Sequence, residues 1–171
     1  MTEMLFHIAE GILLLLFLGV LLYASLEDRK YKKVKRYLWY AAGMAGGALL
    51  LLKWCRLGKT SGEDSLFYLA GHWGILIDMA IFWGLQAYFF VRMYGKADCF
   101  AFSCCSLVFA AFGEGLIMYL SHMLVSIFLL GIIQFLHGNV RKDGNLREPV
   151  AFVPYISISF LGCLLGTFPW K

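Results

Sequence analysis

Residues 5–26, LFHIAEGILLLLFLGVLLYASL, decide the fold class. The run is interrupted mainly by His7, Glu10 and Ser25. A helix that crosses a ~30 Å hydrocarbon core needs ~20 predominantly apolar residues, so this stretch predicts a transmembrane helix. A cleavable signal segment would have a basic start and an apolar core of only ~7–15 residues. Here Glu3 precedes the run and a basic cluster, Arg29 to Arg36, follows it. The run therefore reads as a retained helix with its basic end in the cytoplasm.

The rest of the chain has the same character. It is 61% hydrophobic and 15% charged, whereas soluble domains sit nearer ~45–50% and ~25%. The mean hydropathy is +0.73. Its 171 residues suit one compact membrane domain with no second folded unit. The net charge of +4 sits mostly in short connectors beside apolar runs, where basic residues set topology and meet anionic headgroups. Nucleic acid is not an expected partner. Cys55, Cys99, Cys104, Cys105 and Cys163 lie in or beside apolar runs without a Cys-x-x-Cys pair, so they read as small packing residues.

Six helices are expected, at about 5–26, 37–55, 65–93, 98–112, 116–136 and 151–168, in an all-α polytopic bundle. Gly43, Gly46 and Gly47 give the second helix small surfaces for close contact. Gly113-Glu114-Gly115 separates the fourth helix from the fifth. Eleven basic residues fall on one side: Arg29, Lys30, Lys32, Lys33, Lys35, Arg36, Arg92, Lys96, Arg141, Lys142 and Arg147. Four fall on the other: Lys53, Arg56, Lys59 and Lys171. The richer side should be cytoplasmic, which places both termini outside.

This topology puts two acids on one membrane face. Asp28 opens the first cytoplasmic connector and Asp98 closes the second. Ionisable groups at membrane segments are costly and often functional. Two carboxylates within a few ångströms cannot both ionise easily, and such a pair shares one proton. That arrangement can activate water and polarise a carbonyl. Acids at helix ends among Lys and Arg are also commonly solvated interfacial residues, and spacing alone does not separate the two readings.

Three local motifs bear on the choice. Asp28-Arg29-Lys30-Tyr31-Lys32-Lys33-Val34-Lys35-Arg36 resembles the first-aspartate motif of the type IV prepilin peptidases, with Val34-Lys35-Arg36 where that family has Ile-Pro-Asn. Gly95-Lys96-Ala97-Asp98 resembles the family's Gly-x-Gly-Asp, with Ala97 at the second glycine and Phe100 where a Lys is usual. Ala151-Phe152-Val153-Pro154-Tyr155-Ile156 resembles Pro-Phe-x-Pro-Phe-Ile, with Ala151 at the first proline. The resemblance implies a GxGD-type intramembrane aspartic endopeptidase with Asp28 and Asp98 as the catalytic pair. Gly95, Ala97 and Pro154 would then be motif or substrate-positioning residues. It implies cleavage of the leader of a prepilin or pseudopilin on the cytoplasmic side of a bacterial inner membrane. No connector holds the methyltransferase insert of larger members, so neither zinc nor another cofactor is implied, and the chain is similar to the compact Flp or tight-adherence form.

Other polar residues read as structural. Glu27 points about 100° away from Asp28 on one helix. Glu10 and His7 in helix 1, with His72 and Asp78 in helix 3, form an expected polar cluster satisfied by mutual hydrogen bonds. His122 reads as a buried, hydrogen-bonded histidine. Two further readings stand beside the peptidase: a non-enzymatic transporter subunit that binds a small ligand at Asp78, Glu10 and the histidines, and an inactive pilus-assembly homologue.

Overall fold

The computed structural model describes residues 2–60, 65–140 and 151–167, with side chains over 3–56, 73–136 and 151–167. The described residues are all-helical: α1 (Thr2–Tyr31), α2 (Arg36–Thr60), α3 (Ser65–Tyr88), a 3-10 turn (Phe90–Arg92), α4 (Lys96–Ala111), α5 (Leu116–Val140) and α6 (Val153–Thr167). Four segments are long and apolar enough to cross a membrane: Glu3–Tyr31, Arg36–Arg56, Trp73–Arg92 and Leu116–Leu136. Large apolar side chains such as Leu15, Leu22, Met44, Ile117 and Phe128 are exposed along them. An apolar surface of this extent suits contact with lipid.

α4 and α6 are shorter, at 16 and 15 residues; α4 is largely covered by its neighbours, while α6 buries one face and exposes Ile158, Leu161 and Leu165. α4 touches α2, α3, α5 and α6, while α1 packs on α2 and α6. Phe102, Cys105, Val108 and Phe109 of α4 are fully buried. Around them the ring of His122 meets Phe102, Phe109 and Phe160 edge-on, at centroid distances of 5.3, 5.4 and 5.9 Å. All five cysteines are free, and Cys99, Cys104 and Cys105 are buried packing residues.

α6 is fastened by its serines. Ser157 bonds Ser25 of α1 at 2.6 Å, and Ser159 bonds Ser126 of α5. His122 Nε2 lies 3.0 Å from the Ile156 carbonyl; because a carbonyl only accepts, this nitrogen carries the proton. Hydroxyl and imidazole groups join helices this way where apolar surface alone gives little preference for one neighbour over lipid.

Several boundaries differ from expectation. α1 continues past residue 26, so Asp28 lies within the helix; its carbonyl accepts from the Lys32 N–H at 2.8 Å. The chain turns only at Lys32, with φ 55°. Helix 3 was expected through Met93 but ends at Tyr88, followed by the 3-10 turn. The cause is aromatic: Tyr94 stacks on Phe90 at 5.8 Å and meets Phe152 at 5.5 Å, so the chain turns inward to bury these rings. α2 and α5 extend beyond the expected 55 and 136. The expected connector cations Arg141, Lys142 and Arg147, and Lys171, lie outside the described residues, as do the side chains of Lys59 and His72.

Of the three glycines expected to serve helix contact, Gly46 is the critical one. A Cβ there would sit 3.2 Å from Leu107 Cβ and 3.4 Å from the Cys104 carbonyl, whereas one at Gly47 would meet nothing within 4 Å. Gly46→Val should therefore push α2 off α4 and cost about 1–3 kcal/mol, seen as a lower melting temperature in detergent. Gly47→Val should leave the melting temperature near that of the wild type.

Candidate functional site

The site is built around the start of α6. The first N–H groups of a helix have no partner within it, and residues usually supplying a cap are Ser, Thr, Asp or Asn. Ala151 and Phe152 precede α6 and cannot cap it. The Phe152 carbonyl accepts from Tyr155 and Ile156 at 3.0 and 3.3 Å, and Pro154 has no N–H to satisfy. That leaves the Val153 N–H, which donates to Asp28 Oδ2 at 3.1 Å. The Phe152 N–H also interacts with this carboxylate. Asp28 is thus buried at 8% exposure and bound by backbone donors at the positive end of a helix.

Asp98 arrives from the other side. Gly95 is the N-cap of α4, with φ 116° and ψ 163°. This conformation is essentially restricted to glycine, and it starts the helix so that Asp98 falls in the first turn. A Cβ on Gly95 would lie 3.7 Å from Asp98 Oδ2. The Tyr94 ring meets Phe152 at 5.5 Å, so the turn that carries Asp98 packs against the residue that begins α6. Among the described residues, no hydrogen bond or ion pair holds Asp98. It lies outside the four segments able to cross a membrane. Burial, and then the charge of Asp28, push its carboxyl up to about 7. The two expected acids are brought into one electrostatic environment but are not equivalent: one is bound by backbone N–H groups and the other has no partner among the described residues.

The remaining motif residues divide by role. Ala97 lies in the helical first turn of α4 and is absent from the positive-φ positions, which among the described residues are Lys32, Gly95 and Gly113. The special backbone belongs to Gly95, and alanine is compatible with its own position. Phe100 is 53% exposed and points away from the buried face. Pro154 stands in the first turn of α6, where its missing N–H leaves Val153 as the donor directed at Asp28. Of the basic connector, Lys32 is the residue whose charge acts on Asp28.

Glu27, beside Asp28, serves another helix. It is buried, accepts from the Lys35 N–H at 3.2 Å and pairs with Lys35 Nζ at 3.4 Å, fixing the start of α2. Asp78 does the same for α5: its Oδ2 accepts from the Leu116 N–H at 3.0 Å. Gly115 makes this possible, because a Cβ there would lie within 2.4 Å of that oxygen. Of the expected cluster of His7, Glu10, His72 and Asp78, the side chain of His72 lies outside the described residues, and Asp78 bonds the start of α5 rather than Glu10 or His7. Glu10 and His7 bind Arg56 of α2 instead, with Glu10 Oε1 at 3.1 Å and His7 Nε2 at 2.9 Å. His122 is buried and bonded as expected.

The capping roles of Glu27, Asp28 and Asp78 were missed from the sequence. The available signal was negative: Lys35, Phe152 and Gly115, at the starts of three helices, carry no capping side chain.

Asp28→Ala removes the α6 cap and should cost about 1–2 kcal/mol, whereas Asp28→Asn keeps an acceptor and should melt close to the wild type. A second expectation concerns pH. The Asp98 carboxyl is held well above its ordinary 3.8, so the folded state retains this proton while the unfolded chain has lost it. The stabilisation is full below about pH 4 and declines as pH rises toward about 7. Melting temperatures recorded across that window should show this decline, and Asp98→Asn should flatten it.

Compared with known proteins, the chain matches no protein-family model, no curated protein and no solved structure.

Proposed function

We propose that this protein is a membrane-embedded aspartic endopeptidase of the prepilin-peptidase type. It forms a six-helix bundle in a bacterial inner membrane with both termini outside. The observation that carries the reading is the unequal pair at the start of α6. Asp28 is bound by backbone N–H groups, and Asp98, from a separate helix, is unpartnered among the described residues, its carboxyl raised by burial and then by the charge of Asp28.

The inequality suits the two tasks of an aspartic dyad. Backbone donors and the α6 N-terminus favour a charged Asp28, which serves as the base that takes a proton from water. Asp98 keeps the shared proton and donates a hydrogen bond to the scissile carbonyl. The water oxygen adds to the carbonyl carbon, the leaving amine receives a proton from the pair, and the C–N bond breaks. The substrate class is the leader of a prepilin or pseudopilin, cut beside its hydrophobic helix, with that helix as the binding partner. Anionic lipid gathers at the basic connector from Arg29 to Arg36.

An inactive pilus-assembly homologue is the second reading, favoured by one observation: capping α6 is by itself enough to account for a buried Asp28. Co-expression with a Flp-type prepilin separates the two. Leader cleavage by the wild type should be lost in both Asp28→Asn and Asp98→Asn, with normal protein levels; cleavage that survives either change refutes the dyad. Because Asp98 must be protonated, cleavage by the purified enzyme should decline as pH rises through about 7, with a lower limb set by protonation of Asp28.

A further inference from the structure

The end of the bundle away from Asp28 holds a second group of charges beside a cavity. An open cavity of about 480 Å³ lies between α1 and α2. Gly11, Leu14, Leu49 and Phe112 form its apolar wall, and Glu10, Lys53 and Arg56 its polar end.

The charges at that end are not equally satisfied. Arg56 donates to Glu3 Oε2 and Glu10 Oε1, each at 3.1 Å, and to one ring nitrogen of His7, whose Nδ1 and Nε2 lie 3.2 and 2.9 Å from the guanidinium. Glu10 is thereby neutralised, and Glu3 is largely exposed. Lys53 is different. Its Nζ lies 4.0 Å from Glu10 and 3.9 Å above the Phe112 ring, and it makes no hydrogen bond among the described residues. This half-buried ammonium has three donors, an ion pair at 4.0 Å and no hydrogen bond among the described residues, and it faces the apolar wall of the cavity.

We infer that this cavity binds a membrane phospholipid, with Lys53 holding the headgroup phosphate and an acyl chain lying along Leu14 and Leu49. The ligand chemistry is a phosphate ester joined to an apolar chain. A free phosphate would satisfy Lys53 but leave the apolar wall uncovered. Ile8, Ile12 and Leu15, which alternate along α1 with the lining residues, and Leu51 of α2 are exposed, so apolar surface suited to lipid lies next in sequence to the cavity wall. The inference rests on a membrane location and is independent of the peptidase reading.

The test uses the full-length protein in a neutral maltoside detergent, titrated separately with dioleoylphosphatidylglycerol, dioleoylglycerol and inorganic phosphate. Native mass spectrometry reads retained lipid, and melting temperature reads all three. Phosphatidylglycerol should be retained and raise the melting temperature, with no comparable effect from the other two. Lys53→Gln should weaken retention about five-fold, and Lys53→Arg should restore it. Gly11→Leu keeps every charge and fills the cavity; a Cβ at Gly11 meets nothing within 4 Å, so this variant should fold and also lose lipid. If Lys53→Gln fails to give monodisperse protein, Gly11→Leu decides. Equal retention of dioleoylglycerol, equal stabilisation by inorganic phosphate, or retention unchanged in Gly11→Leu would each overturn the inference.

Discussion

A backbone N–H at the start of a helix has no partner within that helix, and in hydrocarbon no water replaces one. Three helices here begin without a capping side chain of their own, and a carboxylate from another helix supplies the acceptor each time. Glu27 serves α2, Asp28 serves α6 and Asp78 serves α5. The Asp28 and Asp78 contacts join segments distant in sequence, and all three set where a helix starts and which neighbour it starts against. Acids that hydropathy alone would count as costs become the fixed points of the bundle.

The α6 cap has the widest consequences. It places Asp28 at a positive helix end, and the Tyr94–Phe152 contact brings the turn before Asp98 to the same place. The two carboxylates then differ without any difference in residue type, because both are withdrawn from water but, among the described residues, only Asp28 has backbone donors. Gly95 belongs to this arrangement, since its φ of 116° lets α4 start with Asp98 in its first turn. Hydrogen bonds from Ser157, Ser159 and His122 hold the length of α6 against α1 and α5. The base of the proposed dyad thus lies where α1 is hydrogen-bonded to α6, as a positioned catalytic group requires.

The opposite end follows a different principle. There Arg56 gathers Glu3, His7 and Glu10 from α1, tying α1 to α2 near the boundary of the apolar region. Between the two ends lies α4, too short to resemble the other spans and almost wholly covered by them. A helix surrounded by protein has no need of the length that lipid contact demands.

The helical class, the four long apolar segments and the approximate positions of all six helices were legible in the sequence, because hydropathy and length are properties of each segment alone. The resemblance singled out Asp28, Gly95 and Asp98, and Gly95 does carry the unusual backbone. What the chain could not reveal was pairing. Asp28 and Val153 are 125 residues apart, and nothing local to either indicates that one accepts from the other. The same holds for Asp78 with Leu116 and for Arg56 with Glu10, which replaced the expected cluster of Asp78, Glu10 and His7. The end of helix 3 was misplaced for a related reason: residues 89–93 continue an apolar run, but Tyr94 finds its neighbours on α4 and at the start of α6. Sequence determined which segments avoid water; tertiary structure decided which buried donor meets which acceptor, because that choice depends on helices packing side by side and not on any segment's own composition.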